Sequence, residues 1–441
     1  MMTQGEASRA MAIAAGFAPR CMLIVAQLLG TRKIQESLLM TSTSLGELCA
    51  GIGTAAFVVG LLRNNLIATL GLVMKLRPAY ASEISSRCRS LLCDICGNVH
   101  EHLFGDMLAC FPMGLSGVDM YFFELLARAM SSPFTRLLWC YRCNRMCTIP
   151  YADVLVAGIP CQDWSSIGKM NRLAGETMPI LCGFIRWLLE LRPKIAIVEN
   201  VPGFKADIFH NVPGLNMYRA IVFPDVSPDD AGFRLLARTR LYIILVNTEC
   251  CEVTDCMLTL YRTLAAHSRV GDWTEPRHAF QASAAEVATE IEALWRIRGF
   301  GKLYDTVSML HQRELAALQW MDQLHLFKFG VPAAWSQHEV VSFLGSNPWK
   351  RLQWSGDSQR IPCYTMNNGL MWGFRANRWL TALERMATMG FPVYGPMAVA
   401  MHSTILHVPE PASTGAAIGN GMHVANLWMI MLVALSCVRD R

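Results

Sequence analysis

Short apolar runs alternate with helix-periodic segments over residues 44–204 and 230–247 of this 441-residue chain. Short continuous apolar runs predict buried strands, and apolar positions that recur every three or four residues predict helices. The clearest examples predict strands at 45–49, 153–158, 194–198 and 241–246 and a helix at 177–191. Strands that alternate with helices in this way are typical of a parallel α/β sheet.

The pattern changes between about residue 252 and residue 360. Two helical stretches, near 280–298 and 308–327, precede sequence rich in Gly, Pro, Ser and Trp, and the α/β pattern returns from about 361. Six of the twelve tryptophans lie in this region, so its composition differs from that of both flanks. We predict an N-terminal helical extension (1–43), an α/β domain (44–250), an insertion (251–362) and a C-terminal return to the α/β domain (363–441).

Composition narrows the class of protein. A charged fraction of 17% and a hydrophobic fraction of 53% exclude an extended disordered chain. The longest apolar run, 427–437, is shorter than the ~20 residues that a spanning helix needs, so we expect no membrane span. The first thirty residues carry Arg9 and Arg20 and a single acidic residue, which leaves organelle targeting as a weaker alternative.

Cysteine content and net charge indicate the compartment and the kinds of binding partner that the protein can have. The 16 cysteines indicate a reducing compartment, where thiols serve as core residues, metal ligands or nucleophiles. A net charge of +5 allows a nucleic-acid partner without requiring one. Residues 252–360 hold 11 Lys and Arg against 12 Asp and Glu, so any phosphate contact there must come from a local patch. The best patch is 347–354, where cations and aromatic residues interleave; a partly buried turn is the alternative.

A glycine turn, Gly51-Ile52-Gly53-Thr54, follows the first predicted strand and precedes a helix-like run at 55–62. Glycines at such a turn allow a cofactor to approach the backbone, and the helix N-terminus favours polar or anionic groups. A simple tight corner is the alternative. Glu83 follows about thirty residues later, near the end of a second predicted strand, where a carboxylate can accept both ribose hydroxyls of a nucleoside. Taken alone, Glu83 and Asp106 are ordinary surface residues.

Cys161 stands just past the carboxyl end of the predicted strand 153–158, within Pro160-Cys161-Gln162. α/β folds assemble their sites at this edge, and a thiolate there is a useful nucleophile. The segment from 162 to 175 places Lys169 and Arg172 between two glycines, and it could close over a substrate and contact phosphates. A buried structural cysteine is the alternative for an isolated thiol, but the position after a strand favours a nucleophile.

Two further strand ends carry polar side chains. Glu199-Asn200-Val201 ends a very apolar strand, where a carboxylate is costly to bury unless it has a partner or a function. Arg238 and Arg240 lead into the strand at 241–246, and their alternation puts both guanidinium groups on one face. A pair of surface arginines is the alternative.

In this order, the motifs resemble those of the cytosine-C5 methyltransferase family. The glycine turn, Pro160-Cys161-Gln162, Glu199-Asn200-Val201 and the arginine pair are followed, in the family's order, by matches at 378–381, 384–385, 390–392 and 419–422. The matches run from about residue 45 to 430 and leave the insertion unmatched. The resemblance implies an α/β fold: a Rossmann-like, mostly parallel sheet (class I methyltransferase) with an inserted smaller target-recognition domain. Residues 44–250 would form the catalytic and cofactor-binding domain.

The resemblance also implies a mechanism. Cys161 would attack C6 of a flipped cytosine, Glu199 would donate to N3, and Arg240 with Arg238 would hold O2, while S-adenosylmethionine provides a methyl group for C5. The implied cofactor-binding residues are Cys49, Gly51, Ile52, Gly53, Thr54, Glu83, Ile84, Asp106, Met107, Pro160, Asn420 and Gly421. The implied substrate-binding residues are Gln162, Ser165, Lys169, Arg172, Asn200, Trp349, Lys350 and Arg351.

DNA is the expected partner, because most of the family acts on it, and RNA is the alternative. One branch of the family modifies transfer RNA and carries a Cys-Phe-Thr signature, and Cys363-Tyr364-Thr365 occupies a comparable place here. A catalytically weak pseudoenzyme that binds the cofactor or DNA is the second alternative, because Cys49, Thr54 and Leu236 depart from the family pattern. We expect a monomer, in the nucleus of a eukaryote and otherwise in the cytoplasm.

Thiols between residues 93 and 147 raise the question of a metal. Cys93-x-x-Cys96 and Cys140-x-x-Cys143 have the pair spacing of tetrahedral sulfur ligation, with His100 and His102 nearby. Cysteines in a hydrophobic core are the alternative explanation, and it suits a chain that uses cysteine freely. The sequence therefore predicts no metal ligand, with structural zinc as the less favoured reading.

Overall fold

The computed structural model describes residues 4–115, 121–166, 168, 170–269, 274–303, 305–365, 369–408, 414–415 and 417–441. The strands are β1 (Ser44–Leu48), β2 (Arg77–Ser82), β3 (His102–Phe104), β4 (Leu137–Cys140), β5 (Arg145–Thr148), β6 (Val154–Gly158), β7 (Ile195–Asn200), β8 (Tyr218–Val226), β9 (Arg240–Asn247), β10 (Cys251–Val253), β11 (Val341–Phe343), β12 (Met371–Gly373), β13 (Arg378–Trp379) and β14 (Val438–Asp440). The helices are α1 (Gln4–Ala15), α2 (Phe17–Leu29), α3 (Thr31–Glu36), α4 (Leu38–Thr41), α5 (Thr54–Leu70), α6 (Ser86–Cys96), α7 (Phe122–Ser131), α8 (Met178–Leu191), α9 (Ile208–Asn211), α10 (Met257–Ser268), α11 (Ala284–Arg298), α12 (Gln312–Phe329), α13 (Ala382–Thr388), α14 (Gly395–Ala400) and α15 (Val424–Ser436).

Among the described residues, nine strands form the main sheet, in the order β5-β4-β3-β2-β1-β6-β7-β9-β8. The central strands β3, β2, β1, β6 and β7 pair in parallel. Their order reverses between β1 and β6, which is where α/β folds place their sites. Strand β9 is antiparallel to both β7 and β8, and β4 and β5 form an antiparallel hairpin beside β3. This Rossmann-like, mostly parallel sheet confirms the predicted fold class.

The strands predicted from apolar runs agree with the observed ones to within about two residues. The runs at 45–49, 153–158, 194–198 and 241–246 are β1, β6, β7 and β9, and the predicted helix at 177–191 is α8. The hairpin β4–β5 and the strand β8 were not predicted. Their side chains alternate between buried and exposed positions or are only half-buried, so they lack a continuous apolar run.

The sheet core explains why the central strands are so apolar. Strands β6 and β7 are buried on both faces, as parallel strands between helices are. Helix α8 contributes the fully buried Trp187, whose ring lies 6.0 Å from that of Tyr80 on β2. Gly46 on β1 makes room for this tyrosine, because a Cβ there would lie 2.4 Å from the ring. The edge that carries the candidate site is therefore built on rigid strands.

The chain divides into two compact units. The sheet unit comprises Cys21–Val226, Thr239–Leu264 and Asn426–Arg441, and the second unit comprises Met1–Arg20, Ser227–Arg238 and Ala265–Ala425. The grouping differs from the boundaries expected from composition, since residues 1–20 and 363–425 join the second unit. Within that unit the side-chain amide of Gln4 donates to the carbonyl oxygen of Gln281 at 2.8 Å. The backbone N–H of Ala237 donates to the carbonyl oxygen of Ile361 at 2.9 Å. The domain boundaries at 43, 250 and 362 stay a prediction.

The second unit has its own core. Strands β11, β12 and β13 form a small antiparallel sheet, and helices α11 and α12 correspond to the stretches predicted near 280–298 and 308–327. Helix α11 begins with a capping box, in which the N–H of Glu286 donates to Ser283 Oγ and the N–H of Ser283 donates to Glu286 Oε2. Trp372 and Trp379 pack in the core of this unit with ring centroids 6.4 Å apart.

Two helical stretches of the described chain are long and apolar enough to cross a membrane. Ile418–Ser436, with a mean hydropathy of 1.5, extends beyond the predicted apolar run, but 89% of it is buried as in a core helix. Gln4–Leu29 has a mean hydropathy of 1.7 and is 39% buried, and it places Met11, Phe17 and Met22 fully inside the protein. A signal sequence passes the same test of length and hydropathy. The absence of membrane spans therefore stays a prediction.

Candidate active site

Left-handed residues shape the turn after β1. Cys49, Gly51 and Gly53 have φ angles of 49°, 57° and 77°, and Gly53 precedes the first residue of α5. A Cβ at Gly53 would lie 2.8 Å from Cys96 Sγ and from Leu92 Cγ, so this position needs glycine for space as well as for conformation. The side chains of Ile52 and Thr54, which follow in the same turn, are buried. The turn therefore offers backbone rather than these side chains to a ligand.

Glu83 follows β2, and its carboxylate braces this turn. Oε2 accepts the N–H of Gly51 at 2.8 Å, and Oε1 accepts the N–H of Ser85 at 2.8 Å. Burial raises the pKa of Glu83, while these two N–H groups and the positive charge of Arg89 oppose the rise. Each carboxylate oxygen keeps a further lone pair. The group can therefore accept ribose hydroxyls while it fixes the turn.

Four more of the predicted cofactor residues surround Glu83 on the sheet unit. Burial raises the pKa of Cys49 to about 12, and the charges of Glu83 and Asp106 act in the same direction. Cys49 Sγ lies 3.8 Å from Met107 Sδ, and the exposed Asp106 accepts the N–H of Leu108 at 2.9 Å. Ile84 is 69% exposed, although it is a large apolar residue. The charges of Glu83 and Asp106 thus both lie near Cys49, and the exposed Ile84 follows Glu83 in the chain.

The loop after β6 carries Cys161. The half-buried Pro160 and Cys161 follow the strand directly, and the carbonyl oxygen of Cys161 accepts the N–H groups of Trp164 and Ser165 at 3.0 and 2.8 Å. The buried carboxylate of Asp163 accepts both the N–H and the hydroxyl of Thr177, at 2.8 and 2.5 Å. These bonds tie the start of the loop to the start of α8, so the thiol sits at a defined place on the sheet edge.

The rest of this loop bears the predicted substrate residues. Gln162 and Arg172 are exposed and Ser165 is half-buried, while Lys169 lies outside the described residues. Gly168 packs against the carbonyl group of Gln162, where a Cβ would lie 1.8 Å from its oxygen. The loop therefore presents a polar outer face beside the thiol.

Glu199 ends the neighbouring strand. Strands β6 and β7 pair in parallel, with Gly158 opposite Glu199. Cys161 follows Gly158 by three residues, so the thiol and the acid lie at the ends of neighbouring strands. Glu199 Oε1 pairs with Arg240 Nε at 2.9 Å, and both side chains are largely buried, with 12% and 14% of their surface exposed. Burial of a carboxylate in this position costs free energy unless an opposite charge compensates, and Arg240 provides that charge.

Short stretches of the chain match known proteins. Residues 142–212 match the family model C-5 cytosine-specific DNA methylase. The chain is 41% identical over 56 residues to the Type II methyltransferase M.NgoFVII of Neisseria gonorrhoeae and 46% identical over 55 residues to M.BsuFI of Bacillus subtilis. These segments cover 13% and 12% of this chain and only 15% and 13% of those relatives. This part of the chain is therefore similar to cytosine-C5 methyltransferases.

Two solved structures are also similar over most of their length. The S. pombe Dnmt2 methyltransferase is 13% identical, with 89% of this chain and 98% of that chain covered and a TM-score of 0.45. The Entamoeba histolytica methyltransferase EhMeth is 12% identical, with 90% and 98% covered and a TM-score of 0.44. The match to the methylase family model contains the Cys161 loop and Glu199, so it concerns the edge of the sheet described above.

Asn200 and Arg238, which the cytosine-C5 methyltransferase pattern assigns to substrate and catalysis, bind backbone groups. The amide of Asn200 donates to the carbonyl oxygen of Ile159 at 3.2 Å and accepts the N–H of Val201 at 2.9 Å. Arg238 is buried in the second unit, where it donates to the carbonyl oxygen of Gly421 at 2.6 Å. Asn200 thus positions the Pro-Cys loop, and Arg238 positions the closing motif of the family.

Other predicted residues lie in the second unit. Asn420 is exposed at the end of a short 3-10 turn (Ile418–Asn420), and Gly421 is buried behind it. Trp349 is 54% exposed, Lys350 is exposed and Arg351 is half-buried, on a turn in which Asn347 Oδ1 accepts the N–H of Trp349 at 3.0 Å. A cation and an exposed indole therefore stand together on one turn of this unit.

Two functional features escaped the sequence-based prediction. Asp163 clamps the nucleophile loop through Thr177, and its position directly after Pro-Cys-Gln and fourteen residues before a helix start is the only signal in the sequence. The other feature is a cluster of three thiols and an imidazole on β3, β4 and β5. The pair Cys140-x-x-Cys143 and the nearby His102 indicated part of it as the less favoured zinc site, but the approach of Cys147 to them does not follow without the hairpin.

Proposed function

We propose that this protein is a methyltransferase that uses S-adenosylmethionine to methylate C5 of cytosine in DNA through a covalent bond between Cys161 and C6. One observation carries the proposal: the strands that lead to Cys161 and Glu199 pair in parallel, with Gly158 opposite Glu199. A nucleophile and an acid are therefore delivered to the same edge by adjacent rigid strands. The ion pair of Glu199 with Arg240 adds a cation beside the acid.

In this mechanism the thiolate of Cys161 adds to C6 of the base and the ring electrons move toward N3. Glu199 holds a proton at N3, and Arg240 fixes the orientation of Glu199 and faces the negative charge that develops at O2. S-adenosylmethionine, when bound, offers an electrophilic methyl group to the electron-rich C5. Water then takes the proton from C5, the thiolate departs from C6 and the N3 proton returns to Glu199, which restores the aromatic ring, so one hard step becomes several easier ones.

The sheet unit has residues suited to the cofactor. The buried carboxylate of Glu83 can hold the ribose, the exposed Asp106 can accept the adenine amino group, and the exposed Ile84 can cover the ring. The backbone of the turn from Cys49 to Gly53 approaches without a Cβ at its glycines. Of the departures from the family pattern in this turn, Thr54 is buried at the start of α5, so its side chain does not reach a ligand at the turn.

The loop from 162 to 175 is the segment that closes behind an extruded base. A base stacked in a duplex hides C5 and C6 from any side chain, so the cytosine must leave the helix. The polar face formed by Gln162, Ser165 and Arg172 would contact the strand, and the Asp163 clamp keeps the loop anchored at its base. On this proposal the protein acts as a monomer, in the nucleus of a eukaryote and otherwise in the cytoplasm.

A trapping experiment tests the proposal. The purified full chain is incubated with S-adenosylmethionine and a duplex that contains 5-fluorocytosine, which retains fluorine at C5 and so blocks the final elimination. We expect a covalent adduct on a denaturing gel, and mass spectrometry of the digest should map it to Cys161. The Cys161→Ser variant should form none, whereas the matched control Cys256→Ser, which removes an exposed thiol, should react as the original chain does.

The same assay separates the alternatives. An adduct with a 5-fluorocytosine transfer RNA but not with the duplex would replace DNA by RNA as the substrate. A folded chain that binds the cofactor and DNA and yet forms no adduct with either substrate would be a binding protein. An adduct on the duplex that survives Cys161→Ser would overturn the assignment of the nucleophile.

A further inference from the structure

Three cysteines and one histidine meet at the outer edge of the sheet, away from the strand ends that carry Cys161. His102 begins β3, Cys140 ends β4, Cys143 lies in the hairpin turn and Cys147 lies on β5. One ligand atom from each, the three Sγ atoms and a ring nitrogen, lies within 4.8 Å of all the others. Cys140 and Cys147 are buried, and His102 and Cys143 are half-buried. Nothing in the methyl-transfer chemistry uses these four side chains.

The distances suit a tetrahedral ion. Cys140 Sγ and Cys143 Sγ lie 3.8 and 3.7 Å from His102 Nδ1. A zinc ion with bonds of about 2.3 Å to sulfur and about 2.0 Å to nitrogen sets S–N edges of about 3.5 Å and S–S edges of about 3.8 Å. The four atoms therefore need to move by a few tenths of an ångström, and at most about one, to surround a metal.

The backbone of the hairpin builds this arrangement. Cys140 Sγ accepts the N–H groups of Cys143 and Leu103, both at 3.4 Å, which is the environment of a thiolate. Asn144 has a φ of 52°, so the turn between β4 and β5 folds back tightly and returns Cys147 to the strand beside Leu138. The ligands thus come from three adjacent strands and one tight turn.

The other thiols and imidazole considered for a metal lie in different contacts. His100 Nε2 pairs with Glu47 Oε1 at 2.8 Å inside the protein, and Cys96 Sγ contacts the carbonyl oxygen of Gly53 at 3.3 Å. They therefore have local partners of their own. The cluster of four is distinct from these, which is why the Cys93-x-x-Cys96 pair does not contribute to it.

We propose that His102, Cys140, Cys143 and Cys147 bind a structural Zn²⁺ that fastens the β4–β5 hairpin to the sheet. Four protein ligands fill a tetrahedral site and leave no position for substrate, so the role is structural. The ion would add to the packing of Leu138 in the main core, because the described residues pair β3 with β4 at one position, Phe104 with Cys140. Half of the hairpin faces outward, with Trp139 and Met146 about half exposed, so a core on that side does not hold it.

Metal analysis of the full chain, expressed without an affinity tag and purified without chelators, tests the site. We expect one zinc per chain by elemental mass spectrometry, and a cobalt-substituted sample should show the absorption of tetrahedral thiolate coordination. Cys143→Ser and Cys147→Ser should lose the metal. The matched control Cys93→Ser, which removes a half-buried thiol of the same region, should keep it.

A second measurement covers the case in which a ligand variant fails to fold. In the unaltered chain, a chelator should release the zinc, lower the Tm and expose three thiols to a thiol reagent that does not reach them before. A chain that purifies without metal and takes up neither zinc nor cobalt would overturn the proposal. A disulfide among the three cysteines, or zinc retained by Cys143→Ser and Cys147→Ser, would overturn it as well.

Discussion

The site edge of the sheet unit and the turn at 347–354 of the second unit are built in opposite ways. At the site edge, side chains bond to backbone: Glu83 to the glycine turn, Asp163 to the start of α8 and Asn200 to the Pro-Cys loop. At 347–354, Asn347 caps a turn whose Trp349 is 54% exposed. Chemistry needs atoms held within tenths of an ångström, whereas contact with a polymer needs exposed surface.

Within the second unit, charged side chains also divide between those that stabilise the fold and those that are exposed. In the second unit, Arg298 pairs with Glu314 and Arg378 pairs with Glu384, in both cases through two hydrogen bonds of 2.6 to 2.9 Å. These cations stabilise the fold and cannot also contact phosphate. Exposed cations such as Lys350 are the ones that can contact a nucleic acid.

The largest effect should come from the acid at the site edge. Glu199→Gln removes the proton held at N3 and the partner of Arg240, so we expect kcat to fall by about 10²- to 10⁴-fold. Cofactor affinity should stay unchanged, because Glu83 and Asp106, the residues proposed to hold the cofactor, follow other strands of the unit. Single-turnover methylation and a cofactor titration measure the two quantities. Activity within a few-fold of the original would show that Glu199 is not the acid.

The next effect concerns the stability that the glycine turn after β1 gives to the fold. Gly53→Ala forces a side chain into φ 77° and against Cys96 and Leu92, so we expect the free energy of unfolding to fall by about 2–4 kcal/mol. Gly97→Ala is the matched control: its φ is 60°, but its Cβ would meet nothing within 4 Å, and we expect a loss of about 1 kcal/mol. Denaturant unfolding compares the two, and equal losses would contradict the packing argument.

The two regions also differ in how well their sequence predicts them. The strand ends at Cys161 and Glu199 follow continuous apolar runs, so the sequence predicts both the elements and their common edge. The roles of Asn200 and Arg238 do not follow, because each side chain bonds to a backbone carbonyl group that only the folded chain brings near: Ile159 for one and Gly421 for the other.

For the same reason, the sequence does not predict the β4–β5 hairpin or the boundaries of the two units. Strands β4 and β5 are exposed on alternate residues, and their cysteines look like core residues until β3 pairs with β4. Composition separates residues 252–360 from their flanks, but it does not show that residues 1–20 pack with the second unit. That grouping depends on long-range bonds such as Gln4 to Gln281.

The exposed turn of the second unit should affect mainly binding. Trp349→Ala removes an indole on which a base can stack, and we expect the Kd for a DNA duplex or strand to rise about tenfold, with the cofactor Kd unchanged. Tm should fall only slightly, because the variant also loses the contact of this ring with that of Trp320, at 5.8 Å between centroids. The salt dependence of binding should stay the same, because no charge is lost. Trp335→Ala, at a residue that is 79% exposed, is the matched control and should change nothing. If both variants bind equally well, the turn is not an interface.

The smallest expected effect is that mildly acidic pH lowers the stability of the second unit more than that of the sheet unit. Burial, together with the charge of Arg238, lowers the pKa of His423 in the second unit to about 3. Because this histidine is neutral when folded and has an ordinary pKa near 6.5 when unfolded, the unfolded state gains protons first as the pH falls. Its contribution to stability is fully present above the unfolded pKa and is lost as the pH falls below it, by about 0.7 kcal/mol between pH 7 and pH 6.

Hydrogen exchange can separate the two units in this test. Protection of α13, which packs in the second unit, should fall over that interval, and protection of β6 and β7 should not fall with it. His423→Gln should reduce the difference, since glutamine does not titrate, and the remainder should come from His278 of the same unit, whose pKa burial also lowers. Carboxylates with lowered pKa values, such as Asp153, titrate below this range and do not contribute. An unchanged pH dependence in His423→Gln would mean that the acid sensitivity of the second unit arises at another group, and that burial of this imidazole does not distinguish the two units.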